Sequence, residues 1–282
     1  MNTIWSDSVQ GLMTLYLSRK LRFDDMFWPQ YERLFRIAEK PDMRILEIGC
    51  GPGALAQALA HHYLQAHVTG IDRDSNFISF ARRQFPQLEF MEGDICALPF
   101  EDESFDVTIS NTVVEHVDPE YFWKEQLRVL KPNGICLCLS SRRGLSQKAE
   151  CLQMTEAERE FWDRQLPSNE LDRYQVGRYQ LSESQLPSAM EKYGFHNVTT
   201  GYAVIDLTTD DPKYPPEMAL AMIEADRQGD LEAIKSMKDG NDEEVIKAVN
   251  QKYDRRRQLY QQGQHQWDCE VSIIMVARGE KK

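Results

Sequence analysis

From residue 44 to residue 141 the chain alternates short apolar runs with amphipathic stretches, and that rhythm decides its class. Apolar runs near 44–48, 67–72, 88–92, 106–110 and 135–140 predict strands. Helical spacing of apolar positions near 54–64, 75–85 and 119–130 predicts helices between them. Strands and helices taking turns over short links predict an α/β fold, a mostly parallel sheet with helices on both faces. Lys131-Pro-Asn-Gly134 is a turn signal, expected to stop a helix and feed the fifth strand.

The flanks follow other patterns. In residues 1–40, Leu12, Leu15 and Tyr16, then Tyr31, Leu34 and Phe35, recur at helical spacing, and Pro29 breaks the run into two helices. This predicts an N-terminal helical cover, packed on a core or drawn over a ligand cleft. Residues 142–180 are polar and include the helix-like Thr155–Trp162, so a helical insertion is expected after the fifth strand. A helix should start at the serines of Leu181–Leu186 and end at Gly194. Strand patterns return near 196–204 and 270–277, separated by an acidic, helix-rich insertion over about 206–268. The expected division is a cover (1–40), a core (41–141), an insertion (142–180) and the end of the sheet with its acidic insertion (181–282).

The chemistry gathers at the strand ends. The first strand runs into Gly49-Cys50-Gly51-Pro52-Gly53 at a predicted helix start, where a backbone without Cβ atoms lets a ligand approach closely. The second strand ends at Asp72, whose two oxygens could accept from both hydroxyls of a ribose. The third is followed by Asp94, an acceptor suited to an exocyclic amino group such as that of adenine, or else a turn cap. A dinucleotide fingerprint would read G-x-G-x-x-G. Here the glycines fall at every second position, and residue 54, where the third belongs, is Ala. The fingerprint tolerates that Ala, so the later blocks discriminate better.

The blocks Leu46-Glu-Ile-Gly-Cys-Gly-Pro-Gly53, Gly70-Ile-Asp72, Gly93-Asp94-Ile-Cys-Ala-Leu-Pro-Phe100, Ser104-Phe-Asp-Val107, Glu115-His116-Val117 and Leu130-Lys-Pro-Asn-Gly134, in that order, resemble the class I S-adenosylmethionine-dependent methyltransferases, and within them the small-molecule group. The resemblance is dense over 44–141 and weak at two later strands. It implies a Rossmann-like seven-stranded sheet, closed by strands six and seven around the acidic insertion. It implies that Glu47, Gly49, Cys50, Gly51 and Gly53 border the methionine part of S-adenosylmethionine. Asp72 would hold the ribose, and Asp94 and Ile95 the adenine, with Arg73 and Cys96 at the rim. Asn111 would sit near the sulfonium through its main-chain carbonyl, since a cation suits a carbonyl or an aromatic face. His116 is the candidate base, because imidazole titrates near neutrality; a packing role at a helix start is the competing assignment. Trp5, Tyr16 and Tyr202 are weaker candidates for a substrate pocket. The product would be S-adenosylhomocysteine.

Composition narrows the partners. The formal net charge of −12 disfavours a broad nucleic-acid or anionic-membrane surface. Asn111-Thr-Val-Val also departs from the Asn/Asp-Pro-Pro-Tyr of enzymes that methylate amino groups of adenine or glutamine. Arg255, Arg256 and Arg257 read as a solvated helix face. The six cysteines form no C-x-x-C pair, so buried thiols in a reducing compartment are expected, with no metal site. No signal peptide and no membrane span are read, which makes the cytoplasm the default. The expected partner is a small-molecule substrate, not a nucleic acid or membrane, and the insertions would build either a lid or a homodimer interface. The competing functions are a non-catalytic S-adenosylmethionine-binding module and a protein- or RNA-modifying methyltransferase.

Overall fold

The computed structural model describes residues 4–165, 176–237 and 239–282. Seven strands form one sheet: β1 (Met43–Ile48), β2 (Ala66–Asp72), β3 (Glu89–Glu92), β4 (Phe105–Asn111), β5 (Leu130–Gln147), β6 (His196–Asp206) and β7 (Cys269–Glu280). Their order across the sheet is β3-β2-β1-β4-β5-β7-β6. β1 to β5 run parallel, while β7 is antiparallel to both β5 and β6. The order reverses between β1 and β4, which opens a crevice at their carboxyl ends.

The sheet is buried on both faces because its strands alternate. Ile45, Leu137 and Leu139 join one core with Trp28, Tyr31, Phe35 and Leu59. Leu46, Ile48, Cys136 and Cys138 join the other with Phe122, Trp123 and Met190. The helices on these faces are α2 (Trp28–Phe35), α3 (Ala54–His62), α4 (Ser75–Gln84), α5 (Pro119–Val129) and α7 (Gln185–Lys192). Cys136 and Cys138 do point the same way, into packed surroundings, and burial pushes the Cys136 thiol up to about 12.

Three expectations need correction. Lys131–Gly134 is not a turn between helix and strand. The chain passes straight from α5 into β5, and the four residues form an irregularity between Leu130, paired with Phe105, and Ile135, paired with Val107. Secondly, β5 does not stop near 140: residues 144–147 continue the ladder against Ser272, Val271, Glu270 and Cys269, so the start of the expected helical insertion is strand. Residues 166–175 of that insertion lie outside the described residues. Thirdly, the arginine run is not a solvated face. Arg256 is fully buried, its Nη2 2.8 Å from Asp210 and also bonded to Asp268. Arg257 bonds Glu224 at 3.1 Å, and only Arg255 is exposed.

The two insertions make a single body. Helix α6 (Glu156–Arg164), after β5, packs with α8 (Pro216–Lys235) and α9 (Glu243–Gln261), between β6 and β7. Phe161, Ile223, Ile234, Val245, Val249 and Tyr253 form their common core. Lys252 crosses it, with Nζ 2.6 Å from Glu158 and 3.0 Å from Asp230. This body reaches the N-terminal helix α1 (Leu12–Arg22) as well. Glu232 of α8 accepts the amide hydrogens of Met13 and Thr14 at 2.9 and 2.6 Å, so a residue far along the chain caps the start of α1. Gly11 precedes that start at φ 76°, and a Cβ there would meet the Glu232 carboxylate at 2.3 Å.

Removing one member of a buried charge cluster leaves its partners unpaired. Arg256→Met is expected to lower unfolding stability by about 3–5 kcal/mol, and Arg255→Ala by less than about 0.5 kcal/mol. Urea denaturation of the two variants checks this, and equal effects would contradict the burial of Arg256.

Candidate functional site

The loop after β1 is held from two sides. The amides of Gly49 and Cys50 donate to the Ile71 carbonyl at 2.8 and 3.0 Å, and the Gly51 amide donates to Asp72 Oδ2 at 2.9 Å. Asp72 Oδ1 accepts the Asp74 amide at 2.9 Å. Asp74 is fully buried and caps α4 by accepting from the Asn76 and Phe77 amides, and it also accepts from Ser6. Asp72 is therefore a structural clamp on the loop as well as a wall of the cleft. Burial raises its carboxyl above the ordinary range, and the two amide bonds oppose that rise.

Above this loop lies a cavity of about 690 Å³ at the crevice between β1 and β4. Of the residues expected around a cofactor, Glu47, Gly49, Cys50, Gly51, Asp72 and Arg73 line it from the first two strand ends. Asp94, Ile95 and Cys96 line it from the loop after β3, and Asn111 and His116 from the region after β4. Gly53 does not line it. Gly53 sits at φ 85°, and a Cβ there would meet Phe90 at 2.8 Å, so packing against β3, not ligand approach, requires glycine. A Cβ on Gly51 would meet Leu15 of α1 at 3.1 Å, which brings the cover down onto the loop.

Two of the lining residues carry a buried acceptor without a partner. Glu47 is 2% exposed and its Oε2 is buried and unbonded; Asn111 is 7% exposed and its Oδ1 is likewise unbonded. Burial drives the Glu47 carboxyl well above its usual range; an Ala56 amide bond and Arg19 oppose the rise, and Asp72 adds to it. Asp94 Oδ1 accepts the Cys96 amide at 2.8 Å, a local turn that aims the loop across the cleft. The Cys96 thiol is pushed up to about 11 by burial and by Asp94, which favours its neutral form.

His116 is placed differently from a free base. Its Nδ1 accepts the Gly177 amide at 2.8 Å, and its ring meets Trp5 edge-on with centroids 4.6 Å apart. An Nδ1 that accepts a backbone N–H leaves the neutral ring's proton on Nε2. That tautomer can donate through Nε2, and it can take up a proton only by giving up Gly177. Burial also lowers its pKa. Of the aromatic candidates, Trp5 lines the cavity, Tyr16 packs on Phe80 instead, and Tyr202 lies 45% exposed on β6.

Residues that sequence reasoning missed complete the walls. Arg19 of α1 reaches across to donate from Nη2 to Thr112 Oγ1 at 2.9 Å, and Thr112 adopts φ 54° just after β4. Gln10, Arg22, Tyr121 and Tyr179 also line the cavity. No local pattern marks them, because they come from helices and loops whose distance from the crevice is set only by the fold.

The sequence model of the family described as "Methyltransferase domain" matches residues 46–138. A fatty-acid O-methyltransferase of Mycolicibacterium smegmatis is 39% identical over 109 residues, covering 37% of this chain and 39% of that protein. A phthiotriol/phenolphthiotriol dimycocerosates methyltransferase of Mycobacterium leprae is 43% identical over 95 residues, covering 32% and 35%. These matches thus span well under half of either relative. Among solved structures, phosphoethanolamine N-methyltransferase 2 of Haemonchus contortus with bound S-adenosyl-L-methionine shares the fold at TM-score 0.55 and 18% identity, covering 98% of this chain and 59% of that one. The [4+2]-cyclase SpnF shares it at TM-score 0.51 and 17% identity, covering 91% and 81%.

The Gly177 bond makes a titration prediction. A folded-state pKa below the ordinary 6.5 means that the unfolded chain binds this proton more readily. Stability from the neutral ring is then full above pH 6.5 and is lost as pH falls through the depressed folded value. An NMR titration of His116 should give a midpoint below 6.5; a midpoint at or above it would contradict the burial of the ring.

Proposed function

We propose that this chain, whose residues 46–138 match the methyltransferase-domain family model, transfers a methyl group from S-adenosylmethionine to a small-molecule acceptor. The observation that carries the reading is the convergence of Glu47, Asp72, Asp94 and Asn111, from four separate strand ends, on one cavity. The donor supplies a methyl group already activated by its sulfonium, so the protein's share is to bind, orient and exclude water.

The residues fit that group. The unbonded Glu47 and Asn111 oxygens suit the ammonium of its amino-acid end. Asp72 keeps lone pairs for ribose hydroxyls beyond its two amide bonds. Asp94 and the half-buried Ile95 would take the adenine, Arg73 and Cys96 its rim. His116 would hold the 177–179 segment over the cleft and offer Nε2–H to a ligand, a positioning role in place of the expected base. The helical body made by α6, α8 and α9 supports the cleft indirectly, by capping α1, which lines it. The fatty-acid and lipid names of the relatives favour a small acceptor with an aliphatic part. The net charge of −12 disfavours an RNA acceptor. Among the described residues no helix is long and apolar enough to cross a membrane.

The likeness to a cyclase means that cofactor binding and methyl transfer need separate measurement. Calorimetric titration with S-adenosylhomocysteine should show one site per chain, weakened at least tenfold by Asp72→Ala, because the loop loses its clamp and the ribose its acceptor. A screen of small acceptors for S-adenosylhomocysteine release should then find turnover. Tight binding without release from any acceptor would favour the non-catalytic module, and unchanged affinity in Asp72→Ala would sink the site assignment.

A further inference from the structure

Three side chains of the kinds that ligate metals meet at the end of α3 that points away from the glycine loop. Asp25 lies in the turn between α1 and α2, and His61 and His62 are the last two residues of α3. Asp25 Oδ1 stands 3.6 Å from His61 Nε2 and 3.0 Å from His62 Nε2, and the three donor atoms all lie within 4.8 Å of one another. Successive residues of a helix point about 100° apart, so adjacent histidines ordinarily diverge. Here they converge, with the rings edge-on and their centroids 4.8 Å apart. The His62 ring is fixed by stacking on Trp28 of α2, at 4.2 Å and 6°. Asp25 is fixed by its turn, in which the Asp24 carbonyl accepts the Phe27 and Trp28 amides and the Asp24 carboxylate accepts the Met26 amide. His62 Nε2 is buried, and no directed hydrogen bond engages it despite the nearby oxygen. Glu32 of α2 adds a second negative charge within reach of His62. The end of α3 adds the partial negative charge of a helix C-terminus.

We propose that Asp25, His61 and His62 bind one divalent transition cation of the zinc kind, and that the bound ion clamps the turn between α1 and α2 to the end of α3. Zinc takes imidazole nitrogen and carboxylate oxygen at about 2.0–2.2 Å, so ligand atoms at tetrahedral angles sit about 3.3–3.6 Å apart. Both Asp25 separations lie near that range, and the exposed His61 ring is free to close the remaining one. Two imidazoles and one carboxylate suit zinc better than magnesium or calcium, which take sets of oxygens. Asp25 and His61 are exposed, so a fourth position is open to water. Along α3 the site is about 12 Å from Ala54, where the glycine loop ends, which makes the ion a structural clamp and not part of the cleft. What it would fasten is the cover, because α1 lines the cleft and leads into this turn. The exposed pair His67 and Asp42, 3.7 Å apart, has the same two ligand types but no third among the described residues. The clamp does not depend on the methyltransferase reading.

Calorimetry on the untagged full chain tests the site, with zinc chloride and, separately, magnesium chloride. One zinc ion per chain is expected to bind, about a hundredfold or more tighter than magnesium. Asp25→Asn and His62→Gln should each weaken zinc binding by about tenfold or more, and His67→Gln by less than about twofold. A melting curve of each variant without metal establishes that it is folded; should His62→Gln unfold through loss of its stacking on Trp28, the exposed change Asp25→Asn carries the test. Hydrogen exchange reads the clamp. Saturating zinc should slow exchange of the Phe27 and Trp28 amides several-fold in the unaltered chain and leave it unchanged in Asp25→Asn. Absence of zinc binding, magnesium binding as tight as zinc, or zinc affinity unchanged in Asp25→Asn overturns the site. Zinc bound through Asp25 with no change in the exchange of Phe27 and Trp28 overturns the clamp.

Discussion

One carboxylate organises the cleft. Asp72 ends β2 and accepts two amides, that of Gly51 on one side and that of Asp74 on the other. Asp74 in turn holds the start of α4 and the N-terminal segment at Ser6. The glycine loop, a strand end, a helix start and the cover thus hang from two successive acids. Burial makes such charges expensive, and the donated amides offset the cost only when every element is in place. The cleft is therefore pre-formed by the same contacts that close the fold.

The helical body beside the cleft follows a related rule with other residues. Its segments are far apart in sequence, and buried cations join them: Lys252 between Glu158 and Asp230, and Arg256 between Asp210 and Asp268. Apolar contacts among Phe161, Ile223 and Val249 supply the burial. They would tolerate sliding, whereas an ion pair left half-made inside is heavily penalised. The polar contacts thereby select one arrangement of the three helices.

The core was legible in the sequence because its signals are local. Short apolar runs in β1, β2 and β4, the glycines after β1 and the acids at strand ends each depend on a few neighbouring residues. The expected strand six and strand seven also appear, with the acidic insertion between them as two helices. What failed depended on distant partners. Lys131–Gly134 looks like a turn until the pairing of Leu130 and Ile135 with β4 places it as an unpaired irregularity within β5. Arg256 looks solvated until Asp210 and Asp268 are brought to it. Arg19 and Arg22 carry no pattern that separates them from any basic residue near a helix end, and their place at the cleft is a product of tertiary structure alone.

The capping of α1 by Glu232 limits how this protein can be shortened. The core resembles a compact domain to which helices were added, and a tight hairpin between β6 and β7 would look like a harmless simplification. Yet the first amides of α1 have their acceptor on α8, and Gly11, with no side chain, cannot replace it. Excising residues 207–268 would leave the helix that carries both cleft arginines without its start. A minimal version of the domain must therefore bring a new acceptor to residue 11, at a φ that few residues besides glycine adopt readily. The addition has become part of the foundation.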